Sequence, residues 1–123
     1  MPPEVELFLK TTANTLLKLE IIFFYTRNPA TVDTVQGLAS RLYRDIEQVR
    51  SAVHSLTENG VLEQHELGEG AYQLFTFTAD SARRALSRKL YDLYHDDPAA
   101  RVEIIRKIMT WQQSLREKSE PQA

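Results

Sequence analysis

The chain has 123 residues, of which 42% are hydrophobic and 26% charged, with no cysteine and a formal charge of -2. That is enough for one core and too little for two, and it rules out disulfides, zinc–thiolate sites and thiol catalysis. No run approaches the roughly 20 apolar residues that cross a bilayer, and the acidic start MPPEVELFLK lacks the basic segment of an export signal, so a cytoplasmic protein with no membrane segment is expected.

From Val5 to about Tyr25 no Gly or Pro interrupts the chain, which reads as one helix. Its second half, LLKLEIIFFY, is apolar around most of its circumference, so in a domain this small a partner chain is expected to help cover it. Asn28-Pro29 ends it, because the residue before a proline is pushed out of helical geometry. Ala30 to Asp33 reads as a short strand. Thr34 is placed to cap a second helix reaching about Tyr43, with Val35, Leu38, Ala39 and Leu42 on one face. Gly37 inside that helix is read as permitting close helix packing.

Asp45 caps a third helix, with Gln48 at the capping-box position. Val49, Ala52, Val53 and Leu56 form its inner face, and Asn59-Gly60 stops it. Gly68-Glu69-Gly70 then turns a two-stranded hairpin, whose return strand sets Tyr72, Leu74 and Thr76 on one face and Phe75 and Phe77 on the other. Thr78 is the expected cap of a fourth helix through Tyr94, with Ala82, Ala85, Leu86, Leu90 and Leu93 as its apolar stripe. Asp97-Pro98 opens a fifth helix. Ile104, Ile108, Trp111 and Leu115 form one stripe there, and Val102, Ile105 and Met109 a second. The final EKSEPQA is expected to be disordered, with residues 119–123 as a tail.

The spacing of LA-x-x-L at Leu38, Ala39 and Leu42, followed by Val49, Leu56, Gly60 and Val61-Leu62, resembles that of winged helix-turn-helix regulators. FT-x-x-S-x-x-x-A-L from Phe77 to Leu86 is similar to the LT-x-x-G that opens the helix after the wing in MarR- and PadR-type regulators, with Ser81 replacing the usual glycine. LKLEII from Leu17 to Ile22 looks like the opening helix of ArsR- and PadR-like repressors, and the likeness covers roughly residues 14–90. It implies a mainly α fold with a small β-hairpin: a winged helix-turn-helix with additional N- and C-terminal helices. The winged-helix domain then occupies residues 1–95, and a C-terminal, dimerising helix occupies 96–118. The function implied is that of a bacterial-type transcriptional regulator acting as a dimer on double-stranded operator DNA.

On that reading the third helix presents Glu47, Gln48, Arg50, Ser51, His54 and Ser55 outward. A major groove admits a helix of this size, where Gln pairs with adenine, Arg with guanine, and Ser or His with bases or backbone. Gln48, Arg50, Ser51 and His54 are the expected groove contacts, and Arg41 and Arg44, just before the helix, are positioned for phosphates. Charge argues the other way. Residues 1–82 carry 6 Lys/Arg against 11 Asp/Glu, whereas 83–118 carry 9 against 5. The hairpin holds Glu63, Glu66 and Glu69 with no basic residue, so it is not expected to enter a minor groove. The alternative is a winged helix that binds protein instead of DNA, the partner covering Phe75 and Phe77.

His54, His65 and His95 lack metal-ligand spacing, and no Gly-rich phosphate loop is present, so neither an enzyme nor a metal or cofactor is expected. Arg83, Arg84, Arg88 and Lys89 make a basic cluster on the fourth helix, with Arg88 placed to pair with Asp92. Homodimerisation is expected through Ile21, Ile22, Phe23, Phe24, Ile104, Ile108, Trp111 and Leu115. A two-fold dimer would set two third helices about one turn of DNA apart. Phe24, Tyr25 and Tyr72 are read either as core or as the lining of a ligand pocket.

Overall fold

A polar run divides what reads as one opening helix. In the computed structural model, which describes residues 1–119, the chain forms α1 (Pro3–Thr11) and then α2 (Leu16–Arg27). No Gly or Pro makes the break. The TTANT side chains make it by competing for backbone hydrogen bonds. Thr11 Oγ1 donates to Leu7 O at 2.8 Å, and Asn14 Nδ2 donates to Lys10 O at 3.2 Å. Thr15, in extended geometry, then caps α2 by accepting from Lys18 N at 3.1 Å.

α2 is the central element, and its own chain covers it. It packs against α4 (Ile46–Glu58), α5 (Ser81–Asp96), α6 (Pro98–Ser119) and β3 (Tyr72–Phe77). Ile21 and Ile22 are fully buried, as are Ile104 and Ile108 of α6, and Phe23 is 7% exposed. The expectation that a partner chain helps to cover this helix is corrected for Ile21, Ile22 and Phe23, which α5 and α6 of the same chain bury. α1 buries Val5, Phe8 and Leu9. Glu4 pairs with Lys89 at 3.4 Å and Glu6 with Lys107, but exposed pairs are screened, so the apolar face holds α1 in place.

β1 (Val32–Asp33) precedes α3 (Val35–Leu42), and β2 (Leu62–Leu67) follows α4. β1 adds a third strand to the expected hairpin, giving an antiparallel sheet of order β1-β3-β2 with Val32 opposite Thr76 and Leu62 opposite Phe77. Phe75 and Phe77 enter the core from one face, as the alternation predicts. Thr34 caps α3 by accepting from Gly37 N at 3.0 Å. Gly37 does not serve helix packing. A Cβ there would stand 1.9 Å from Asp33 Oδ1, so the glycine makes room for a carboxylate that accepts from Thr34 N at 2.8 Å.

α4 follows its sequence pattern. Asp45 caps it by accepting from Gln48 N at 3.0 Å, Val49, Ala52, Val53 and Leu56 are buried, and Gly60 at φ 78 ends it. α5 departs from its pattern twice. Its cap is Asp80, accepting from Ala82 N at 3.2 Å, because Thr78 lies just past β3 with its N–H still donated to Val61 O at 2.9 Å. The stripe is also shorter than expected. Ala82 and Ala85 are exposed, while Ser87 and Leu90 are buried. Asp97 Oδ1 accepts from Ala99 N and Ala100 N to open α6. That helix reaches Ser119, taking in the first residues of the expected tail, and residues 120–123 lie outside the described ones. Among the described residues, no helix is long and apolar enough to cross a membrane.

Tyr25 joins α2 to the sheet. Its side chain is fully buried and its hydroxyl donates to Phe75 O at 2.8 Å. Burial above all, with the Asp33 carboxylate adding, pushes the phenol well above its ordinary range. The folded state thus keeps a proton that the unfolded chain loses above about pH 10, so stability should fall by about 1.4 kcal/mol per pH unit beyond that point. Tyr25→Phe should cost about 0.5–1.5 kcal/mol at neutral pH and flatten the alkaline decline. Urea unfolding of both proteins from pH 7 to 11 checks this, with the difference isolating Tyr25 from the lysines.

Candidate functional site

The outward face of α4 is set by its helical period. With Val49, Ala52, Val53 and Leu56 committed to the core, Glu47, Gln48, Arg50, Ser51 and His54 are exposed together. Ser55, expected outward with them, is half-buried. The His54 ring sits edge-on to Phe75, centroids 6.4 Å apart. Arg41 and Arg44 are exposed at the end of α3 and in the turn to α4, flanking Tyr43, which is left-handed at φ 55 and 93% exposed. The six expected contacts lie on α3, α4 and the turn between them, but their arginines have different neighbours: Arg41 borders residues 28–32, Arg44 borders α2, and Arg50 borders the end of the hairpin.

Each arginine there already has a carboxylate. Arg41 Nε lies 2.9 Å from Asp33 Oδ2, close enough for charge pairing but out of line for a hydrogen bond. Arg44 donates from Nε and Nη2 to Glu20 Oε2 at 3.1 and 2.8 Å. Arg50 pairs with Glu47 at 3.5 Å. Exposed pairs contribute about 0–1 kcal/mol, so a phosphate or base can displace them, but the carboxylates stay behind. Over residues 41–73, three Arg stand against six Asp and Glu.

Beside α4 lies a cleft of 410 Å³, bounded by the first turns of α3 and α4 and by the end of the hairpin. Gln36, Ile46, Arg50, Tyr72 and Gln73 line it. Sequence periodicity finds Arg50 here but misses its neighbours, because the sheet register, not local spacing, brings Tyr72 and Gln73 across. At the hairpin end Leu67 stands opposite Tyr72, and they are 59% and 60% exposed. Glu66 and Glu69 are exposed beside them, while Glu63 accepts from Ala79 N at 2.7 Å.

The basic cluster of α5 is spent on internal partners. Arg83 pairs with Asp80 at 2.7 Å, Arg88 pairs with Asp92 at 3.2 Å as its spacing predicts, and Lys89 meets Glu4. Arg84 donates to Thr78 O and lies over the Phe77 ring, 4.9 Å from its centroid. Of the expected dimer contacts, Ile21, Ile22, Phe23, Ile104 and Ile108 belong to the core, whereas Phe24 and Trp111 are half-buried and Leu115 is 57% exposed. Tyr25 is core, Phe24 is half-buried, and Tyr72 lines the cleft beside Arg50. Among the described residues no three His, Asp or Glu are grouped to hold a metal ion. No model of a known protein family matches the chain, and no curated protein does.

Proposed function

We propose that this chain is a winged helix-turn-helix domain of a transcriptional regulator and reads operator DNA with α4. One observation carries the reading. Gln48, Arg50, Ser51 and His54 stand together on a helix face that the rest of the described chain leaves open, while the opposite face is locked into the core. A helix held rigidly on one side and offering amide, guanidinium, hydroxyl and imidazole on the other suits base edges in a major groove. Arg41 and Arg44 then meet the flanking phosphates, and the acidic hairpin stands alongside the duplex outside the minor groove. For the expected homodimer, the contacts left at the surface are Phe24, Trp111 and Leu115.

Binding to genomic DNA fragments across a salt series tests the reading. Affinity should fall with salt by about 0.9 log units per tenfold change for each phosphate contacted. Arg50→Ala and Gln48→Ala should each weaken the tightest fragment by about tenfold with the fold intact. A second reading, docking onto a protein, is favoured by the exposed Leu67–Tyr72 pair and by the carboxylates on every arginine of the face. It predicts no salt-dependent DNA affinity and indifference to both substitutions.

A further inference from the structure

The sheet ends in an open edge at β2. In the order β1-β3-β2 this strand has one neighbour, and its register runs unbroken from Leu62 opposite Phe77 to Leu67 opposite Tyr72. An antiparallel strand turns its backbone groups alternately to either side. Half of those on its six residues therefore face away from β3, along about 20 Å. Among the described residues, no backbone group outside the sheet bonds to Gln64, His65, Glu66 or Leu67, and all four are exposed. Edges of this kind are normally blunted by proline, lysine or a bulge, and β2 has none of them.

The two faces beside that edge differ. On the outward face Leu67 and Tyr72 form a cross-strand pair, 59% and 60% exposed, with Leu74 half-buried next to them. Glu63 shares this face but is engaged by Ala79 N. On the other face stands the exposed Glu66, with the exposed Glu69 in the turn beyond, and residues 61–82 contain no Lys or Arg. Two copies meeting edge to edge would set glutamate against glutamate, and a nucleic acid or an anionic bilayer would be repelled for the same reason. The chemistry that fits is a strand with apolar side chains on one face and cations on the other.

We propose that β2 takes up, as a fourth strand, an extended segment of another protein in which basic and apolar residues alternate. The main chain of that segment pairs with the open edge and supplies affinity, while its side chains supply specificity. Its apolar residues join Leu67 and Tyr72, and its cations meet Glu66 and Glu69. The carboxylates thus serve twice, deterring self-pairing of the edge and selecting a basic partner. This surface is separate from the outward face of α4, so the inference holds whether or not that helix reads DNA.

An NMR titration of the full chain with an octapeptide of alternating lysine and valine, and with its glutamate–valine counterpart, tests the site without DNA. Saturable shifts are expected from Gln64 to Leu67 and at Tyr72, with slowed amide exchange at alternate residues of β2 and no binding of the glutamate peptide. Leu67→Ala should weaken the lysine peptide about tenfold and Glu66→Gln about threefold. Leu7→Ala, on α1 and similarly exposed at 62%, should leave its affinity unchanged. The absence of saturable binding, shifts centred on another surface, equal binding of the glutamate peptide, or an affinity unchanged in Leu67→Ala overturns the proposal. Shifts on β2 without the alternating amide protection overturn strand addition. A failure of DNA binding in the salt series alters none of these results.

Discussion

Truncating Ile104 to Ala is expected to lower the unfolding free energy by about 2–5 kcal/mol, whereas Met109→Ala on the same helix stays within about 0.5 kcal/mol. Ile104 is 0% exposed and sits against α2, while Met109 is 53% exposed. Removing atoms from the first leaves a cavity that α2 and α5 cannot close. Removing them from the second uncovers nothing. Urea unfolding measures both, and protein concentration sharpens the comparison. A residue buried only by association shifts its midpoint with dilution, but one buried within a single chain does not. The Ile104→Ala loss should therefore be the same at low and high concentration. A neutral result, or one that grows on dilution, would return Ile104 to the dimer contacts from which its burial removes it.

The distinction explains why some elements are legible in the residues and others are not. In α4, three local signals agree: a capping Asp45, an apolar set at i, i+3, i+4 and i+7, and Asn59-Gly60 as a stop. The outward face follows from the same period, so Glu47, Gln48, Arg50, Ser51 and His54 are correctly anticipated, and only Ser55, at the edge of that face, is half-buried instead. The α1–α2 break carries no such mark, since Thr and Asn are only moderate helix formers and act here through hydrogen bonds visible in three dimensions. Periodicity also tells which side chains need burial but not what buries them. Ile21, Ile22 and Phe23 were therefore open to a partner chain on sequence alone, until α5 and α6 are seen to fold back over them. The carboxylates on Arg41 and Arg44 come from Asp33 and Glu20, outside the α3–α4 turn, and no local pattern links them.

Reversing the charge of the hairpin, with Glu66→Lys and Glu69→Lys together, is expected to raise DNA affinity by about 60-fold at about 0.1 M salt, since each new phosphate contact adds about 0.9 to the salt slope and so about eightfold there. The fold should tolerate it. Both side chains are exposed, and Gly68 and Gly70, at φ 69 and 83, hold the turn whichever side chain lies between them. Anisotropy titrations at three salt concentrations would read affinity and slope together. The gain requires α4 to lie in the groove, because β2 packs against that helix and so holds the hairpin alongside it. If α4 instead docks on a protein, the variant's affinity and slope remain as they were, and binding to that partner weakens as the acidic hairpin turns basic. An unchanged slope beside a real loss in Arg50→Ala would separate the two elements. α4 would then read the duplex while the hairpin stands beyond reach of the phosphates, its glutamates spared from repulsion by distance.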